Sequence, residues 1–391
     1  MKLWFLGVWA FGSFSAWAAP LTLRAQLQPG APLTVEADAV EGDYVVTVTY
    51  GGDDADSVTT MKGEARRLYA LNVKVPKGGS LTLSYRVSVH QPEIKGGGKV
   101  SLKSREVGSP SWDQKLSLEF LGTTARVRQV VVELAQTKPL HVRLLGDSTL
   151  TDQFAEPYCG WGQMFPALFT GHLVIDNHAE SGLSLASFQG SRRLDKVLSV
   201  LESGDYVFIQ FGHNDQKEKG EGVGAFTTFA TRLRNYVKVI QAKGARPVLV
   251  TAVARRRFDA QGQVVESLGD FPAAVRRVAQ ELSLPLIDLN ASSKQLYQVL
   301  GVEVSRQAFL HIPAGIYPGQ KVAIADDTHF SAYGAYEVAR CVASELAKQT
   351  PELARYLRPE LASFQPCQPE LPAAVLVPPS APQPITKPEG N

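Results

Sequence analysis

The chain has 391 residues, 44% of them hydrophobic and 20% charged, with a formal net charge of +2. This is an ordinary globular composition. Its near balance of charge excludes bulk attraction to nucleic acid or to a membrane surface as the basis of function. The length points to two domains.

The first element is Met1-Lys2 followed by an apolar stretch from Leu3 to Ala16 and the small-x-small pattern Ala16-Trp17-Ala18. This is the layout of a secretory signal peptide over residues 1–18, cut after Ala18, and it is too short for a permanent span. Cutting one residue later would put Trp17 in a small-residue position and Pro20 just after the cut. No later stretch reaches the length of a membrane helix. An exported protein, periplasmic or secreted, without a membrane partner is expected.

Residues 19–138 read as β almost throughout. "DYVVTVTYGG", "RLYALNVKV", "SLTLSYRVSVH", "KLSLEFLG" and "VRQVVVEL" alternate or are rich in β-branched residues. Turn signals at Gly51-Gly52, Gly78-Gly79 and Gly96-Gly97-Gly98 separate them. The pattern predicts a β-sandwich or jelly roll.

From Pro139 the pattern changes, and residues 139–358 form a second domain. The apolar runs "HVRLLG", "HLVIDN", "DYVFIQFG", "RPVLVTAVA" and "LPLIDLN" alternate with helix-period stretches. In one such stretch Phe226, Phe229, Leu233, Tyr236, Val237 and Ile240 recur at helical spacing. Apolar strands alternating with helices predict an α/β domain with a doubly wound, flavodoxin-like parallel sheet of five strands. A last helix is expected over about Ala332 to Gln349. Residues 359–391 are proline-rich and expected to be disordered.

The three cysteines, Cys159, Cys341 and Cys367, are an odd number with no metal-knuckle spacing. Cys341 and Cys367 either pair or stay free.

In open α/β sheets the working edge is the carboxyl ends of the strands. The first strand ends in "LLGDSTLTDQ", which places Ser148 there, and Gly146-Asp147-Ser148 reads either as a turn or as a nucleophile held at a strand end. After the second strand "NHAESG" places Gly182 on the same edge, and after the third "FGHND" places Asn214 there. "DDTHFS" offers Asp326 and His329 just before the final helix. Singly these residues could be a turn glycine, a cap and a surface histidine. Together they supply a hydroxyl, a base, a carboxylate to orient it, and donors for an oxyanion.

These four blocks, "GDST", the glycine of "NHAESG", "GHND" and "DDTH", match in order and spacing those of SGNH (GDSL-like) hydrolases. The sequence resembles their rhamnogalacturonan acetylesterase branch, in which Thr149 replaces the leucine of the broader GDSL signature. The resemblance spans about Leu140 to Gln349. It implies Ser148 as nucleophile, His329 as general base and Asp326 as its partner. The backbone N–H groups of Ser148 and Gly182, with the Asn214 side chain, would form the oxyanion hole. It also implies chemistry that needs no cofactor and no metal. The front domain resembles galactose-binding-like β modules that precede some bacterial acetylesterases, through its strand pattern, "RLYALNV" and "WDQKLSLEF". Sugar binding and mere packing are equally open for it.

The expected function is an exported carbohydrate esterase removing O-acetyl groups from pectic rhamnogalacturonan, an acetylated plant cell-wall polysaccharide. The alternatives are a xylan or broad short-chain acetyl esterase, and a polysaccharide-binding protein with a vestigial esterase domain. The run Arg255, Arg256, Arg257 leaves the fourth strand on the working edge. It is either a solvated basic loop or a grip on galacturonate carboxylates.

Overall fold

The computed structural model describes residues 21–23, 33–171, 173–366, 368–381 and 387. The expected signal segment and Cys367 lie outside them.

The front domain contains β1 (Leu21–Leu23), β2 (Leu33–Asp38), β3 (Gly42–Tyr50), β4 (Ser57–Gly63), β5 (Arg67–Val75), β6 (Leu81–Val89), β7 (Lys115–Leu121) and β8 (Val127–Leu134). They form two antiparallel sheets in the orders β1-β8-β3-β6 and β2-β7-β4-β5. Alternation builds the core between them. Tyr44, Val46, Val48 and Tyr50 of β3 point inward to meet Leu116, Leu118 and Phe120 of β7 and Val130 of β8. On the outer face of β3, the hydroxyls of Thr47 and Thr49 meet those of Ser84 and Thr82, each at 3.0 Å. β5 departs from alternation because Arg67, Leu68, Tyr69 and Ala70 are all buried. Its second face packs on the other domain, where Leu68 joins a cluster with Trp161 and Phe165.

The second domain runs β9 (Leu140–Gly146), α1 (Trp161–Met164), β10 (Leu173–Asn177), α2 (Leu185–Gly190), α3 (Arg193–Val200), β11 (Tyr206–Gln210), α4 (Ala230–Gln241), β12 (Arg246–Val250), α5 (Phe271–Glu281), β13 (Leu286–Ile287), α6 (Leu289–Val304), β14 (Phe309–Ile312), β15 (Ile324–Phe330), α7 (Ala332–Gln349) and α8 (Pro351–Ala354). β9 to β13 make one parallel sheet in the order β10-β9-β11-β12-β13, the flavodoxin-like arrangement. Helices cover both faces, so β10 and β11 are buried along their whole length. α4 buries Leu233, Tyr236, Val237 and Ile240, whereas Phe226 ahead of it is exposed beside Arg277. α7 starts where Ser331 Oγ accepts the N–H of Gly334, at 3.2 Å. Any side chain at Gly334 would collide with the Ala308 carbonyl, so the helix and the turn that leads into β14 approach closely only because the residue is glycine.

Two features differ from the sequence expectation. β14 and β15 form an antiparallel hairpin that no apolar run announced, and "DDTH" lies on its second strand. The tail is also ordered over its described residues. Leu361, Phe364 and Val375 join the core of the second domain, and Phe364 lies under the Arg340 guanidinium at 4.1 Å. Further on, the Pro378 carbonyl and Ser380 Oγ accept from Lys62 Nζ of the first domain, at 2.7 and 3.2 Å. Widely spaced apolar anchors give the tail a surface to bury, which proline content alone does not reveal.

The junction between the domains is charged. Arg67 donates to Asp152 at 2.5 Å and to the Ser88 carbonyl at 3.0 Å, while Arg66 pairs with Glu156. Asp176, at the end of β10, accepts from Arg143, from His178 and from His90 of the first domain. His141 lies between Asp43, at 3.0 Å, and Asp205, at 3.7 Å. Burial opposes a charge on His141, but the two carboxylates outweigh it and lift its pKa to about 9.

The sign of that shift sets a prediction. The folded pKa lies above the unfolded value of about 6.5, so the stabilisation is complete below pH 6.5. It should be lost as pH rises to about 9, by at most about 3 kcal/mol. A His141→Gln variant should therefore lose melting temperature chiefly at pH 6 and differ little from wild type at pH 9.5, as thermal scans across that range would register.

Candidate active site

The turn after β9 is fixed by a chain of hydrogen bonds. Asp147 Oδ1 accepts the Thr149 N–H at 3.0 Å and its hydroxyl at 2.8 Å. Thr149 Oγ1 accepts from Gln210 Nε2 at 2.8 Å, and Gln210 Oε1 accepts from Trp161 Nε1 at 2.7 Å. Ser148 is thus held between two immobilised neighbours and is buried, with its Oγ in contact with the hairpin. That contact is His329 Nε2, 2.9 Å from Ser148 Oγ. On the ring's far side, His329 Nδ1 lies 2.8 Å from Asp326 Oδ2.

Asp326 is itself pinned. Its Oδ1 accepts the backbone N–H groups of Thr328 and His329, at 2.9 and 3.0 Å. Burial would raise its pKa, but the bond to His329 and these N–H groups prevail and hold it down to about 2. The carboxylate therefore stays ionised across the neutral range and favours the tautomer with a proton on Nδ1. Nε2 is then an acceptor for the Ser148 hydroxyl proton. The Tyr158 ring packs edge-on against His329, with centroids 5.8 Å apart, and limits how the imidazole can rotate.

The loop after β10 carries Gly182 at φ +76°, a left-handed conformation that favours glycine. Neither the Gly182 nor the Ser148 backbone N–H donates to a protein acceptor among the described residues. Asn214 Nδ2 gives one hydrogen to the Leu183 carbonyl at 3.0 Å, and its Oδ1 accepts from Lys217 Nζ at 3.3 Å. These two bonds fix which end of the amide carries hydrogens, leaving a second N–H on Nδ2. Gln153 Nε2 ties the two sides together, donating to the Ser148 carbonyl at 3.1 Å and to Ser181 Oγ at 3.2 Å. Such a site can take a proton from a hydroxyl and receive negative charge on nearby N–H groups. That is the equipment of acyl transfer.

The three arginines separate. Arg256 is buried and fully engaged by Asp327 at 2.9 Å, Ser305 Oγ at 3.0 Å and the Val302 carbonyl, so the expectation that it grips substrate does not hold. Arg255 is half-buried and donates to Thr328 Oγ1, at 3.2 Å, and to the Ser267 carbonyl, at 3.2 Å. No carboxylate among the described residues pairs with it. Arg257 is exposed.

Other reactive groups are quiet. Cys159 and Cys341 are buried and free, and burial pushes the Cys159 thiol up to about 11. Among the described residues, His90, Asp176 and His178 are the one set with metal-ligand atoms within 4.8 Å of one another. Arg143 already neutralises that carboxylate, so a cation there would face a guanidinium. Sequence reasoning missed Thr149, Gln210, Trp161 and Gln153 as supports of the site. Only the presence of a hydroxyl residue after Ser148 hinted at the first.

The family model for GDSL-like lipases/acylhydrolases matches residues 144–335. A rhamnogalacturonan acetylesterase of Bacillus subtilis, RhgT, is 43% identical over 208 residues, which are 53% of this chain and 89% of that protein. A probable rhamnogalacturonan acetylesterase of the same organism, YesY, is 34% identical over 206 residues, 52% of this chain and 90% of that protein. Among solved structures, a Bacillus subtilis protein aligns over 81% of this chain and 80% of its own, at 23% identity and a TM-score of 0.47.

The hydrogen-bonded chain through Thr149 makes a prediction of its own. Thr149→Val keeps the shape but removes the hydroxyl, leaving Gln210 Nε2 without its acceptor, which should cost about 1–3 kcal/mol. Turnover of a small acetyl ester should fall about tenfold or more as the serine turn loosens. Thr149→Ser should restore both, measured by thermal unfolding and steady-state kinetics.

Proposed function

Because this chain belongs to the GDSL-like lipase/acylhydrolase family, as an acetylesterase of the rhamnogalacturonan kind, we propose that it deacetylates pectic rhamnogalacturonan outside the cytoplasm through an acyl-enzyme on Ser148. The reading rests above all on one observation, the continuous file Ser148 Oγ, His329, Asp326 with contacts of 2.9 and 2.8 Å.

In this mechanism His329 Nε2 takes the proton of Ser148 Oγ as the oxygen attacks the acetyl carbonyl carbon. The C=O electron pair moves onto its oxygen, which is met by the N–H groups of Ser148 and Gly182 and by Asn214 Nδ2. Each such donor contributes about a hundredfold to a thousandfold. Collapse of the intermediate breaks the bond to the sugar oxygen, which leaves with the proton held on His329. A water, deprotonated by His329, then attacks the acetyl-Ser148 ester, releasing acetate and returning the proton to Oγ. Asp326 stabilises the imidazolium at both stages.

The pectic substrate and the cellular site draw on different support. The relatives' names supply the substrate class, and residues 1–18 supply the export signal. Arg255 adds a local argument. A half-buried guanidinium without a carboxylate partner, hydrogen-bonded to the neighbour of His329, suits a galacturonate carboxylate arriving with the polymer.

Acetate release measured side by side on acetylated rhamnogalacturonan, homogalacturonan and xylan tests the substrate. The first should be fastest, and Ser148→Ala should fold normally yet release almost none. Equal rates on all three, or faster release from xylan, would replace the pectic reading by a broad or xylan esterase.

Arg255→Ala and Arg257→Ala should each slow release from acetylated rhamnogalacturonan severalfold at low salt. A small neutral ester should be nearly unaffected, with the difference shrinking as salt is added. Matching losses on polymer and small ester would assign these arginines to the fold instead.

A further inference from the structure

The loop between β6 and β7 in the front domain reaches the catalytic edge. It is braced on α3, where Arg193 donates to both oxygens of Glu106, at 2.5 and 2.6 Å, and lies over the Trp112 ring at 5.3 Å. Trp112 Nε1 donates to the same carboxylate at 2.9 Å, and Ser101 N–H donates to the Ser191 carbonyl at 2.9 Å. From this braced loop, Lys103 Nζ donates to the Ser181 carbonyl at 2.6 Å, and Arg105 pairs with Glu180.

The Ser181 carbonyl and the Gly182 N–H belong to one planar peptide unit and point in opposite directions. Whatever grips the oxygen aims the hydrogen. Gly182 cannot do this itself, because a glycine at φ +76° rotates about its N–Cα bond at little cost. An ammonium on the carbonyl also polarises the amide, which strengthens its N–H as a donor.

We propose that Lys103 is a positioning residue for ester hydrolysis, holding the Ser181–Gly182 peptide so that its N–H meets the oxyanion. The front β domain is then part of the catalytic apparatus, although Lys103 lies ahead of the segment 144–335 that defines the family. The inference rests on the reading of Gly182 as an oxyanion donor.

The test uses the full chain and a small acetyl ester, which removes any role in polymer binding. Lys103→Met should lower kcat about ten- to a hundredfold with KM within about twofold. Lys103→Arg, which can still grip the carbonyl, should recover most of the loss. The rate at which a fluorophosphonate labels Ser148 should fall with kcat, since the phosphoryl oxygen uses the same donors. Lys196→Met serves as a control. It breaks another contact between the domains, Lys196 with Glu41 at 2.7 Å, and should lower melting temperature without lowering kcat. Unchanged kcat in Lys103→Met would overturn the proposal, as would an equal fall in Lys196→Met. A folded wild-type protein with no Ser148-dependent turnover would remove the esterase reading itself, and the role of Lys103 with it.

Discussion

The carboxylate of Asp176 is where the two domains are held to one another. Burying an ionised group is costly unless it is paired and hydrogen-bonded, and removing one partner of such a set strands a charge. Burial alone would raise the Asp176 pKa, but His90, His178 and Arg143 together hold it well below the usual carboxylate range. Arg143 comes from the neighbouring strand, His178 from the start of the loop that carries Gly182, and His90 from the front domain. Burial also keeps His178 neutral, with a pKa near 3, so it serves Asp176 as a hydrogen-bond donor. The loop that bears Gly182 therefore begins at a point both domains define.

This explains why the junction is polar where a core would be cheaper. Arg66 donates to the Gln153 and Tyr158 carbonyls, at 3.0 and 3.1 Å, in the segment that follows Ser148. Gln163 Nε2 likewise reaches back to the Ala65 carbonyl at 2.6 Å. Such bonds specify direction as well as contact, so they fix loops that apolar packing alone would leave free to slide. The front domain meets the other through the very segments that surround Ser148 and Gly182.

Much of the fold was legible in the sequence because the parallel sheet is buried on both faces. Its strands β9, β10 and β11 are short apolar runs closed by Gly, Asn and Gln, as "YVFIQ" before Phe211-Gly212 illustrates. The β14–β15 hairpin was not legible, since "IADDTHF" spends its polar residues on the site and shows no apolar face. The ordered blocks "GDST", "NHAESG", "GHND" and "DDTH" were legible as a site, and the structure brings Ser148, His329 and Asp326 into one file. What surrounds them was not. Arg256 reads as a free cation until Asp327, 71 residues later, is seen beside it. Lys103 reads as one more loop lysine in another domain. Long-range pairs leave no local pattern, and both these residues take their meaning from such pairs.

The ordered tail has a consequence for how the molecule is built. Lys62 is buried, and burial pulls its pKa down; its ammonium lies 3.7 Å from Glu156 and donates to Pro378 and Ser380, contributed by the far end of the chain. Ser380 Oγ also donates to Glu119 at 2.6 Å, while its N–H donates to Glu156 at 3.0 Å. During synthesis the front domain emerges hundreds of residues before this partner does. The segment around Pro378 and Ser380 thus closes over a lysine of the front domain, so the burial of Lys62 depends on residues more than 300 positions further along.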